Sequence, residues 1–272
     1  VVFDNKMWVI GGSDSNSVPL NDVWSSTNGN TWTTATDSAA FSARYGHQSV
    51  VFDNKIWVIG GFSGGPKNDV FNSDDGITWT TITDSAQFSP RNGYQSVVFN
   101  DGNSTKMWVI GGSDSIRLND VWSSTNGITW TTATDSAQFS AREEHQSVVF
   151  DNKMWVIGGF AQSDTNDVWS STNGITWTTA TDSVTFSARR THQSVVFDNK
   201  IWVIGGLSDK NGDTNDVWSS VDGKNWTQAT ATVPIFSARR THQSAVFDNK
   251  IWVIGGYNST SFKNDVWHTV KE

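Results

Sequence analysis

The 272-residue chain has no cysteine, four prolines and three tyrosines. Without thiols there is no disulfide framework, no thiolate metal site and no cysteine nucleophile. No apolar run approaches the roughly 18 residues of a membrane-spanning helix. Basic side chains are also scarce, 19 against 27 acidic ones for a formal net charge of −8, which argues against the basic footprint that nucleic-acid binding uses. No segment carries a helical pattern, no glycine-rich loop opens a helix to cradle phosphate, and no Ser-His-Asp set or carboxylate pair stands out from the repeated background. No catalytic residue and no cofactor is assigned.

What the chain has is repetition. Lys55-Ile56-Trp57-Val58-Ile59-Gly60-Gly61 recurs almost unchanged, and its second glycine returns at Gly12, Gly112, Gly159, Gly206 and Gly256, 47 to 51 residues apart. Strand-forming side chains running into two glycines predict a buried strand that stops at a sharp turn or close approach. With Gln48 as the start of one copy, Gln48–Phe52 reads as a first strand, Asp53-Asn54 as a hairpin turn and Lys55–Ile59 as the second strand. Asn68-Asp69-Val70-Phe71 opens a third, Asp74-Asp75-Gly76 turns, and Thr78–Thr81 is the fourth. Four short antiparallel strands per repeat of about 50 residues is the arithmetic of a β-propeller blade, and apolar residues on both faces of the second strand fit stacked blades rather than an open sandwich.

Six glycine pairs and six Asn-Asp pairs, from Asn21-Asp22 to Asn264-Asp265, count six blades. The expected fold is therefore all-β: a six-bladed β-propeller of four-stranded antiparallel blades. It spans residues 1–272 as one domain, with repeats at 1–49, 50–96, 97–147, 148–194, 195–244 and a partial 245–272. Fourth-strand tryptophans (Trp32, Trp79, Trp130, Trp177, Trp226) and Phe-Ser-Ala/Pro-Arg connections number five each. Setting Glu272 against Gly223 leaves one blade short of its outer strand, to be completed by an upstream or downstream segment or by a partner.

His-Gln-Ser-Val-Val-Phe, Ile-Trp-Val-Ile-Gly-Gly, Asn-Asp-Val-Trp and Thr-Trp together resemble the kelch repeat, the type found in the central domain of galactose oxidase, and the likeness covers essentially the whole chain. Asn72-Ser73-Asp74-Asp75-Gly76-Ile77-Thr78-Trp79 is also similar to the Asp-box hairpin of sialidase-type propellers, a structural turn, kept in degenerate form in other copies. A kelch-type copper oxidase is excluded because its site needs cysteine.

All sixteen tryptophans fall at repeat positions on second, third and fourth strands, which points to packing between blades. The Asn-Asp pairs are read as caps of their tight turn, and His47, Tyr94, His145, His192 and His242 as turn-stabilising groups rather than metal ligands. Two uses are open for Arg44, Arg91, Arg142, Arg189 and Arg239: the resemblance implies an anion-recognising patch on the ligand-binding face, while a guanidinium equally suits hydrogen bonds between blades. Comparing the copies adds one signal. The hairpin turns barely vary, whereas the segments after the glycines and the residues after each arginine vary freely, including Tyr45, Asn92, Glu143, Arg190 and Arg240. Both sets belong to one face of a four-stranded blade, the expected binding face. The functional expectation is a non-enzymatic module recognising a protein or glycan through that face. Alternatives are a kelch-type sugar epimerase using Glu143 and Glu144, and a structural unit of a larger surface or filament protein. The Asn/Thr/Ser-rich composition suggests an extracellular or cell-surface setting.

Overall fold

The computed structural model describes residues 1–229 and 236–269; a stretch within the fifth repeat and the end of the sixth, on which the alignment of Glu272 with Gly223 rests, lie outside them. Among the described residues there are five four-stranded antiparallel sheets and one three-stranded sheet, with consecutive strands paired in order and no α-helix. These are six propeller blades, and among the described residues the sixth has three strands (Gln243–Phe247, Lys250–Asn258, Ser261–His268). The chain divides into two compact units, Val1–Ala137 and Gln138–Glu272, each holding three blades.

In the second blade the strands are Gln48–Phe52, Lys55–Phe62, Pro66–Ser73 and Thr80–Thr83. Asp53 and Asn54 both take positive φ, 48° and 54°, the conformation a two-residue hairpin needs to match strand twist and one that Asp and Asn tolerate. Two expectations are corrected. The second strand does not stop at the glycines: it runs through them to Phe62 across a β-bulge between Ile59 and Gly61. Gly60 and Gly61 sit at φ 48° and 98°, so the bulge is where glycine is required. Space is equally tight there, since a Cβ on Gly61 would lie 2.7 Å from the backbone nitrogen of His47. The fourth strand begins one residue after its tryptophan, at Thr80, because Trp79 belongs to the Asp-box hairpin and donates its indole N–H to the Gly76 carbonyl.

That hairpin repeats with one hydrogen-bond scheme. Ser73 Oγ accepts from the Gly76 N–H, and Asp75 Oδ1 accepts from the N–H groups of Ile77 and Thr78. In three other blades Asn28, Asn126 and Asn173 do the work of Asp75, which is why the motif survives loss of its aspartate. The hairpin glycine also seats a neighbour: a Cβ on Gly76 would fall 2.2 Å from Cζ3 of Trp8 in the preceding blade.

The tryptophans divide by position. Those of the second strands and the Asp-box hairpins are buried, save the half-buried Trp32 and Trp202. Hairpin tryptophans meet the phenylalanine of the preceding connection edge-on, as Trp79 does Phe41 at 5.2 Å. The third-strand set is different, and here the reading of all sixteen as core is corrected. Trp24 is 36% exposed, and Trp122, Trp169, Trp218 and Trp267 are half-buried. Phe71, their counterpart in the second blade, is 5% exposed.

Gly76→Ala combines a left-handed backbone with a clash and should cost at least about 3 kcal/mol in chemical denaturation. Gly64→Ala, at φ 64° with nothing within 4 Å of its Cβ, should cost only about 1 kcal/mol.

Candidate functional site

The five connection arginines are at most 1% exposed, and each spends all of its N–H groups inside the protein. Arg44 donates Nε–H to the Ser42 carbonyl, Nη1 to the Gly60 carbonyl and Asp69 Oδ1, and Nη2 to Ser42 Oγ and Asp69 Oδ2, all at 2.7 to 3.0 Å. Arg91, Arg142, Arg189 and Arg239 repeat this on Asp120, Asp167, Asp216 and Asp265. Of the two uses open to these side chains, the geometry is that of hydrogen bonding between blades. The Arg44 backbone pairs with Gly12 and Leu20 of the first blade while its guanidinium grips the second. No guanidinium N–H is left for a ligand. Arg239 in turn holds Asp265 down at about 2.

The Asn-Asp pair works at longer range than a turn cap. Asn68 Nδ2 donates to the carbonyls of Ala86 and Phe88 in the connection that follows, and Asp69 receives Arg44. Where the third strand carries tryptophan, the aspartate also accepts its indole N–H, as Asp216 does from Trp218 at 2.7 Å.

These histidines pack against the bulge glycines, His47 between Gly11 and Gly61 and His192 between Gly158 and Gly206; His145, His192 and His242 are fully buried and His47 is half-buried. Burial, followed by the nearby arginine, lowers His47 to about 4 and His145 and His242 to about 3, and pulls His192 well below 6.5. Tyr94 takes the same place and donates its hydroxyl to the Ile59 carbonyl. Among the described residues no three His, Cys, Asp or Glu side chains are grouped to hold a metal ion.

The variable residues after the arginines are placed differently. Tyr45, Asn92, Glu143, Arg190 and Arg240 each bridge to the residue just beyond a bulge: Phe62, Ser113, Phe160, Leu207 and Tyr257. An invariant backbone bridge therefore carries two variable side chains at every step. In the first unit the chemistry is neutral. Tyr45, 40% exposed, stacks on Phe62 at 5.3 Å, and Ser113 donates to Asn92 Oδ1.

In the second unit it is ionic. Arg190 lies 4.7 Å over the Phe160 ring and reaches Asp164 at 2.6 Å, Asp209 at 3.2 Å and Glu144 at 3.5 Å. Arg240 lies 5.0 Å over Tyr257 and pairs with Asp213 at 3.3 Å. Burial raises the Asp164 carboxyl, and burial with neighbouring Glu143 raises that of Glu144. Glu144, Thr191 and Thr241 hold φ of 56°, 50° and 53°, where the first unit has Gly46 and Gly93. For a β-branched threonine this conformation is costly. Asp164, Asp209 and Asp213 were not singled out from sequence; the only signal was their place in the variable segments.

The KLHDC2/KLHL20/DRC7 Kelch-repeats domain family model matches residues 1–159 and 124–269. No curated protein matches the chain.

Two outcomes follow. Arg142→Ala strands a largely buried carboxylate and should destabilise the fold by about 3 kcal/mol or more in urea; Arg142→Lys, which keeps the charge but not the fork, should remain clearly destabilised. The histidines stay neutral in the fold but protonate near 6.5 when unfolded, so their contribution is complete above that pH and is lost as pH falls towards 3 to 4. Each adds a slope of up to about 1.4 kcal/mol per pH unit, so the urea midpoint should drop steeply between pH 6.5 and 4.5. A flat midpoint would show that the rings take up their protons in the fold as readily as in the unfolded chain.

Proposed function

The chain belongs to the kelch-repeat family, and from that premise we propose that it is a non-enzymatic interaction module that holds a protein partner on its loop face. The observation that carries this reading is the bridge between the residue after each arginine and the residue after each bulge. It fixes the backbone while leaving two adjacent side chains per blade free to differ. The Arg-Asp clamps and buried tryptophans beneath supply a rigid support, so little ordering is required when a partner binds. The ionic network around Arg190 and Arg240 favours the second unit as the stronger contributor. Strained backbone at Thr191 and Thr241 is the kind of feature that concentrates at working surfaces, and stacked arginines with aromatics are the residues that dominate interface energetics.

A photo-crosslinking amino acid at Tyr45 or Asp209 should capture one shared partner in cells that make this protein. The same group at Asn54 or Asn199, in the near-invariant hairpin turns at the other end of the strands, should not. Equal capture from both ends would sink the proposal.

A further inference from the structure

The half-buried third-strand tryptophans have no role in the clamps that needs their exposure. Each indole N–H is already satisfied by the aspartate two residues before it: Asp22, Asp120, Asp167, Asp216 and Asp265 accept from Trp24, Trp122, Trp169, Trp218 and Trp267 at 2.7 to 2.8 Å. The aspartate thus fixes the ring's orientation and hides its polar edge. The rest of the ring is apolar, and it stays half-buried at Trp122 and Trp218 rather than sealed in the core.

At two of these positions the indole lines a groove. In the second unit, Trp218 lines a cavity of about 600 Å³ together with Thr185, Asp209, Lys210, Asn211 and Gln228. Trp218 packs on one side against Phe186, with ring centroids 6.1 Å apart. Asp164 holds the walls in place: its carboxylate accepts from Arg190 and from the backbone N–H of Asp209 at 2.8 Å, pinning the Ser208–Asn211 loop of the fifth blade to the fourth. In the first unit, Trp122 lines a groove of about 580 Å³ with Arg117, Asn119, Thr132 and Asp135.

We propose that these two grooves are saccharide-binding sites, one in each unit, with Trp218 and Trp122 as stacking platforms for the apolar face of a neutral hexopyranose. The chemistry selects that class. A flat indole with its N–H withdrawn offers dispersion and π contact and no hydrogen bond. The amide, hydroxyl, ammonium and carboxylate groups around it supply donors and acceptors at the rim of the ring, as an amphipathic polyol requires. Nearby carboxylates are engaged by arginine, as Asp216 is by Arg189 and Asp164 by Arg190, so the groove does not call for a cationic ligand. The volume accommodates one or two sugar rings. Phe71 supplies a contrast within the same chain: without an N–H to tether, that ring turns into the core against Phe41 at 5.9 Å. The Trp218 groove shares Asp164 and Asp209 with the loop-face surface proposed above, but its test reads sugar contact at the indole rather than capture of a protein, so failure of one proposal is distinguishable from failure of the other.

The test uses the full chain labelled with 15N at its tryptophan indoles, titrated with lactose, cellobiose, maltose and N,N′-diacetylchitobiose. At least one sugar should shift the Trp122 and Trp218 indole resonances saturably, assigned by their loss in Trp122→Phe and Trp218→Phe, while the buried set stays still. Trp218→Ala should halve the sugar bound at saturation, and adding Trp122→Ala should abolish binding. Gln228→Ala, an exposed change that leaves the core untouched, should weaken the Trp218 site at least tenfold without moving the thermal midpoint. If none of the four sugars shifts either resonance, or if binding survives in the double alanine variant, the proposal is overturned.

Discussion

Every blade junction described within the two units turns on one buried guanidinium. An arginine removed from water is tolerable only when each donor finds an acceptor. Here the acceptors come from three directions: the connection's own serine, the bulge carbonyl and the aspartate of the third strand. Those demands account for most of what recurs. The bulge glycines put a carbonyl where the guanidinium can reach it, the Ser-x-Arg spacing folds the connection back on itself, and the Asn-Asp pair serves connection and arginine at once. What reads as three separate motifs along the chain is one hydrogen-bonded unit in space.

Blade number and hairpin positions were legible because their determinants are local. Asp53-Asn54 and the Asp-box need only their own neighbours to be recognised. The role of Arg44 was not legible, because its partner Asp69 lies 25 residues away across a bulge, and a sequence pattern does not say which of two buried or exposed fates a guanidinium meets. The same limit applied to tryptophan. One residue type occupies three strand positions with equal regularity, yet its burial is set by what the neighbouring blade brings alongside. Only the single swap to Phe71 hinted that the third position differs. On the loop face, variability located the right segments but could not single out Asp164 or Asp213, whose meaning depends on an arginine far along the chain, Arg190 and Arg240 respectively.

Within this repeated frame the two units have taken different chemical courses. The first unit keeps glycine at the left-handed positions and presents neutral aromatic and amide groups. The second places Glu144, Thr191 and Thr241 there, accepts the backbone strain, and surrounds it with a network of carboxylates and stacked arginines. Identical scaffolding below makes that contrast informative, since differences confined to one layer of a repeat are not needed to hold the repeat together.

The Asp-box hairpins also bear on how the molecule ages. Asn28-Gly29, Asn126-Gly127 and Asn173-Gly174 are the dipeptides at which chains lose side-chain amides most readily, because the glycine nitrogen attacks the neighbouring amide carbon and expels ammonia. In the folded hairpin that nitrogen's hydrogen is held by a serine hydroxyl at 2.8 to 2.9 Å. The amide oxygen is held in turn by two backbone N–H groups. The turn that seats a neighbouring tryptophan thereby also keeps nucleophile and target apart, and the covalent lifetime of this asparagine-rich chain is tied to the fraction of time it stays folded.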